Sequence, residues 1–204
     1  MNKRPDRTVG YSTMAYNSLP VTYDAFYAFD TCHGDILANK VMRDLFRKHR
    51  VESKLGLVLL HKHCTLKHGE RMTEANGTRG PSSVKGNEPC VWKINLADGR
   101  LIPLEFSVDA REIDWRDIRM QAFVQELLSV LIEFEAWKLL GLALYPGKGY
   151  HGRIEAACGR SAVSLTPDEL NSLPHGTIRE SAWFYTNDYL DRGCKCYWFS
   201  VGDE

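Results

Sequence analysis

The sequence is short of the features that place a protein quickly. Neither charge is in excess: 26 Lys and Arg stand against 26 Asp and Glu. A broad nucleic-acid surface needs clustered surplus Lys and Arg, so that class loses its usual support. No apolar run reaches the roughly 18 residues that a membrane-spanning helix needs, and no membrane partner is expected. The opening "MNKRPDRTVGYSTMAYN" has charges with no apolar stretch behind them, unlike a secretory signal. Residues 1–17 read as a flexible arm. With no export signal, the six cysteines are expected as free thiols in the reducing cytoplasm. The G-x-G-x-x-G, G-x-x-x-x-G-K-[ST], G-x-S-x-G and H-E-x-x-H patterns are all missing, which removes the common dehydrogenase, nucleotide-hydrolase, esterase and metalloprotease readings. "PGKGYHG" at 146–152 has glycines without that order and reads as a turn.

What the chain does have is the material for a core. Five Trp, eight Phe and nine Tyr in 204 residues suit one domain, here taken as residues 18–204. Val41, Met42, Leu45 and Phe46 fall at helical spacing within "ILANKVMRDLFRKHR". Its end, "RDLFRKHR" (43–50), packs five basic residues into eight positions and is the one local place for nucleic acid. As the solvated face of a helix it has a plainer explanation. Residues 55–63 read as a strand that is apolar on both faces. Residues 72–90, rich in Gly, Ser, Asn, Thr and Pro, read as a long loop or lid.

"VWKINLADGRLIPLEFSVD" (91–109) reads as a hairpin turning at Asp98-Gly99. In its second arm Leu104, Phe106 and Val108 alternate with Glu105, Ser107 and Asp109, an oily face against an acidic one. The stretch from Asp117 to Leu140 is the longest helical pattern, apolar over more than half its circumference, and is expected as a central helix buried on more than one side. Another hairpin turns at Gly159, a helix start is expected at Thr166 to Glu169, and two strands meet near Asp191-Arg192-Gly193. "LGLVLLHKH" at 55 is echoed by "LGLALYPGK" at 140, each after a helical pattern. The echo raises two related helix–strand–hairpin halves, against the simpler view that Leu-Gly-Leu ends helices and starts strands. The fold class expected is α+β: one domain, a mainly antiparallel sheet, one long central helix.

The chemistry concentrates at 61–70. On an extended backbone alternate side chains share a face, so His61 and His63 project together. Two imidazoles on one strand face can hold a divalent metal, with Glu105 or His68 as the third ligand. They can equally transfer protons near neutral pH without metal, with Glu105 orienting them, or simply bond backbone inside the core. Glu70 shares the turn with His68, and Cys64 points to the opposite face as core. Cys194 and Cys196 in "GCKCYW" lack the second pair a zinc site needs and read as structural. Trp183 and Tyr185, with Trp92, Trp137 and Trp198, would be core or an aromatic pocket.

The strand "KLGLVLLHKHCTLKHGER", the arm "IPLEF" and the closing "ESAW" and "GCKCYW" together resemble a group of fungal hypothetical proteins, over residues 19 to the end. That resemblance implies that His61, His63 and Glu105 belong to a recurring pattern and that specialised small-molecule metabolism is the setting; it carries over no activity. The leading expectation is an intracellular enzyme acting on a small organic substrate through His61, His63 and Glu105. A non-catalytic binding protein with an aromatic pocket is the alternative, and a nucleic-acid-handling protein stands third.

Overall fold

A computed structural model describes residues 8–84, 87–148, 150, 153–165, 168–169, 176–186 and 194–201, with backbone only for 176–177 and 194–201. The expected helix start at Thr166 and the turn at 191–193 lie outside the described residues, as do the side chains of Cys194, Cys196 and Trp198.

The α+β class holds, but the sheet is a closed barrel. Ten strands of the described chain run β1 (Leu55–Leu59), β2 (Arg71–Ala75), β3 (Thr78–Ser82), β4 (Glu88–Ile94), β5 (Leu101–Ser107), β6 (Leu140–Leu144), β7 (Arg153–Cys158), β8 (Ser161–Leu165), β9 (Gly176–Phe184) and β10 (Cys194–Val201). Around the barrel their order is β1-β6-β4-β5-β2-β3-β8-β7-β10-β9, and β9 closes on β1. The sheet is mainly antiparallel, with parallel pairing only at β2–β5 and β7–β10.

Period-two alternation sorts the side chains into two cores. Leu55, Leu57 and Leu59 of β1, Leu140 and Leu142 of β6, and Trp92 and Ile94 of β4 face outward into an apolar layer. Helices cover that wall: α2 (Thr22–Thr31), then α3 (Gly34–Ile36), a π-helical stretch (Leu37–Met42) and α4 (Arg43–His49) in one continuous run, and α5 (Ile118–Glu133). Phe46 meets Phe123 and Tyr185 edge-on at 4.8 and 5.0 Å, and Phe29 stacks on Trp183 at 5.2 Å. The intervening residues Val58, Leu60, Val91, Ala143, Ala182 and Phe184 point into the barrel.

Two expectations are corrected here. The long helix does not stand alone at the centre and ends at Glu133, beyond which Glu135 turns back with φ +54°. Asp117 caps it, accepting from the amides of Arg119 and Met120. It buries one stripe (Met120, Phe123, Val124, Leu127, Leu128, Leu131) and leaves Ile118 and Ile132 exposed. Second, 72–90 is no lid. Asn76 and Gly77 both adopt positive φ (51° and 74°), the two-residue turn that joins β2 to β3 as barrel wall. The 55/140 echo falls on two strands that each follow a helix, and the pairings β2–β3, β4–β5 and β2–β5 that come after the first recur as β7–β8, β9–β10 and β7–β10 after the second. Its two strands are direct antiparallel neighbours, with Gly56 opposite Ala143 and Gly141 opposite Val58. Both glycines face inward, where a Cβ on Gly56 would sit 2.3 Å from the Phe184 ring and one on Gly141 2.6 Å from Leu60.

The described part of the expected arm is packed. Thr8 and Val9 bridge to Leu101, and α1 (Thr13–Asn17) buries Tyr16 completely. Among the described residues, no helix is long and apolar enough to cross a membrane.

Candidate functional site in the barrel lumen

The lumen is a cavity of about 410 Å³. Strand register gives it two ends. Phe184 lies across from Gly56 near the start of β1, and the Tyr145 amide bonds the Lys54 carbonyl at that same end. There Tyr145, Tyr150 and Phe184 form an aromatic mouth, with ring centroids 5.5 and 5.8 Å apart about Phe184. The other end is closed by Tyr16, Leu19, Leu60 and Leu66.

β1 stops at Leu59, so His61 and His63 lie past the strand rather than on it. The N-terminal segment holds them. The Lys62 amide donates to the Pro20 carbonyl, the His63 amide donates to the Tyr16 hydroxyl at 3.0 Å, and Asn17 bonds Leu66 in both directions. The two rings do project together, 4.9 Å apart. His61 Nδ1 lies 2.9 Å from the Leu59 carbonyl. A carbonyl only accepts, so in the neutral ring the proton sits on Nδ1. Burial, reinforced by the neighbouring His63, brings the His61 pKa down to about 4, and the ring is neutral at pH 7.

Glu105 joins them as expected, with Oε1 3.6 Å from His63 Nε2, a charge contact longer than a hydrogen bond. Its company was not anticipated. The β4–β5 ladder shifts register on either side of Val91, and with that shift both Leu104 and Glu105 are buried. Glu105 Oε2 sits 3.2 Å from Arg79 Nε. Arg79 also reaches Glu74 at 2.8 Å and Glu155 at 3.6 Å. Arg153 grips both oxygens of Glu74 at 2.5 and 2.9 Å and meets Glu155 at 2.6 Å. Burial alone would raise the Glu105 pKa; Arg79 and His63 outweigh it and hold the carboxyl at about 2. Glu74 is likewise held well below the usual carboxylate range against its burial, by Arg153 and Arg79. Cys90 shares the lumen, and burial pushes its thiol up, away from the thiolate a nucleophile needs.

Of the three residues chosen from the sequence, His61 alone lines the cavity; Glu105 and His63 stand behind it and brace Arg79. His68 is exposed, and Glu70 pairs with Arg160 at 2.6 Å, so neither reaches the lumen. Among the described residues no group of three or more His, Cys, Asp or Glu is placed to hold a metal ion; here Glu105 is turned to Arg79 instead. Trp92, Trp183 and Tyr185 belong to the outer core and not to the pocket, while Phe184, pointing the other way, lines the mouth. Lys48 and His49 of the basic helix close on Glu126 of α5 at 2.6 and 2.7 Å.

Glu74, Arg79, Arg153 and Glu155 were missed. The first two lay inside the supposed loop, yet "EANGTR" carries the Asn-Gly hairpin signal that pairs Glu74 with Arg79 across the turn. Arg153 and Glu155 share a strand face by alternation. A larger groove, about 600 Å³, lies outside the barrel between β4–β5 and residues 111–116 and contains none of these charges.

Fold and site together define a closed mixed barrel with a helical outer layer and an ionised lumen. No protein family, no curated protein and no solved structure matches the chain.

Proposed function

We propose that the barrel lumen binds a small organic molecule, with its apolar body at the aromatic mouth and its polar end at the Glu74–Arg79–Glu155 layer and His61. The observation that carries this reading is the cavity itself: about 410 Å³, lined both by the rings of Tyr145, Tyr150 and Phe184 and by the charged side chains of Glu74, Arg79, Arg153 and Glu155. That size and that division suit a small amphipathic ligand. Drawing five charged side chains largely out of water, Glu105 and Glu155 almost completely, is a poor way to stabilise a fold, because desolvation offsets most of their mutual attraction. Such a layer makes better sense as a recognition surface. The resemblance to fungal hypothetical proteins keeps small-molecule metabolism as the setting.

An acid–base enzyme is the second reading, supported by His61 in the wall with His63 and Glu105 behind it. His61, neutral down to about pH 4, is a weak base, since an efficient one titrates near the working pH. It fits the holding of a ligand better than the taking of its proton.

Native mass spectrometry of the intact protein, followed by extraction of what it retains, tests the reading. A single class of small molecule is expected, lost when Ala182→Phe fills the lumen while the circular dichroism stays unchanged. Retention of the same molecule by a folded Ala182→Phe variant would place the ligand elsewhere. Chemical conversion of the captured molecule, abolished by His61→Ala, would establish the enzyme.

A further inference from the structure

The contents of the lumen bear on which molecule it takes. We infer that the lumen selects ligands whose polar end donates hydrogen bonds, an ammonium best of all, and rejects carboxylates; this inference rests on the lumen being the ligand site. Three carboxylates, Glu74, Glu105 and Glu155, meet only two guanidinium groups there, Arg79 and Arg153. Both guanidiniums are already ion-paired. Arg153 hydrogen-bonds the two oxygens of Glu74 through its outer nitrogens, and its Nε faces Glu155 at 2.6 Å as an ion pair without hydrogen-bond alignment. Arg79 hydrogen-bonds Glu74 through one outer nitrogen and pairs by charge with Glu105 and Glu155 at 3.2 and 3.6 Å. An entering anion would have to compete for these guanidiniums and would leave a carboxylate of the layer with less compensating charge, which costs more than the new contact returns. A cation meets the opposite situation, because each carboxylate oxygen accepts more than one hydrogen bond and spare lone pairs remain.

The aromatic mouth points the same way. Tyr145, Tyr150 and Phe184 border the same cavity as Glu155. Ring faces attract cations and repel anions, most effectively where water is excluded. Glu155 and Phe184 are both buried, so the attraction would act with little screening. An amine whose nitrogen lies between the rings and the carboxylate layer would satisfy both elements at once. The rim adds no bias, since Asp109 and Arg111 there carry opposite charges.

Three probes with one phenylalkyl body test the inference in calorimetric titrations of the intact protein at pH 7: phenethylamine, 2-phenylethanol and 3-phenylpropanoate. The ammonium is expected to bind about tenfold more tightly than the alcohol, from cation–π and ionic contributions together. The carboxylate is expected to bind too weakly to measure. Glu155→Gln should erase the preference for the amine over the alcohol while the alcohol's own affinity stays within about twofold, a difference too small to signal a lost contact. If that variant does not fold, Phe184→Leu keeps the mouth apolar, removes one ring and should narrow the same preference. Equal affinity for all three probes, or tightest binding of the carboxylate, would overturn the donor preference and leave the lumen site standing. Failure of all three at millimolar concentration would overturn both.

Discussion

His61 shows how one residue's surroundings decide its chemistry. Its ring is buried, bonded to its own chain at Leu59 and crowded by a second imidazole, so the neutral form is favoured well below the ordinary histidine range. In the unfolded chain the same ring takes a proton near pH 6.5. Between that value and about pH 4 the unfolded state therefore binds more protons, and stability falls as pH falls. The full difference amounts to about 3 kcal/mol below pH 4. His61→Gln should remove that loss, which urea unfolding at pH 7 and at pH 4.5 would reveal as a flatter dependence on pH. Glu105 acts in a separate, lower window. Its folded value of about 2 means that its contribution is present above the ordinary carboxylate range and is lost as pH falls from there toward 2. Arg79 carries the largest single burden, because removing it takes the only guanidinium from Glu105 and one of two from Glu74 and Glu155. Arg79→Met is expected to cost about 3–5 kcal/mol or to prevent folding; a cost under 1 kcal/mol in urea unfolding would show that the layer is not coupled through Arg79.

At the scale of elements, the close pairing of β1 with β6 depends on two inward glycines. Phe184 fills the space that a Cβ on Gly56 would need. Gly56→Ala should cost about 1–3 kcal/mol by overpacking and displace the Phe184 ring. Adding Phe184→Ala should recover part of that loss, a non-additivity that denaturation of the single and double variants would measure. The β2–β3 hairpin depends on local backbone instead. Its Gly77 has φ +74°, and a Cβ there would meet only ordinary contact with Ser164 at 3.8 Å, so Gly77→Ala is expected to cost about 1–2 kcal/mol from conformation alone. The hairpin was hidden in the sequence by its composition. Gly, Ser, Asn and Pro suggest a loop when counted, whereas the order Glu-Ala-Asn-Gly-Thr-Arg specifies a turn with paired charges on either side.

At the scale of the whole molecule, the barrel wall divides two environments that respond differently to change. The outer core, between the helices and the β1–β6–β4 wall, holds most of the large apolar side chains, Phe123 and Trp183 among them. Phe123→Ala should cost about 3–5 kcal/mol yet leave probe affinity in the lumen unchanged at temperatures where the variant is folded. Parallel denaturation and calorimetry on that variant would check the separation; a large loss of affinity would mean that the layers are coupled. The proposed lumen ligand should in turn raise the unfolding free energy by about 2.7 kcal/mol at a hundredfold excess over its dissociation constant.

The sequence by itself determined the α+β class, a strand beginning at Leu55, the hairpins at Asp98-Gly99 and Gly159, the helix start near Asp117 and the common direction of His61 and His63. Each of these rests on local physics: side-chain period, turn backbone, or a carboxylate at a helix start. Closure of the sheet was decided only in three dimensions. Strand order depends on pairings between residues far apart in the chain, such as β1 with β9 and β2 with β5. That closure turned the acidic side of β5 inward and gathered Glu74, Arg79, Arg153 and Glu155 from three separate strands. A single strand shows which side chains share a face; the direction that face looks is set by the strands beside it.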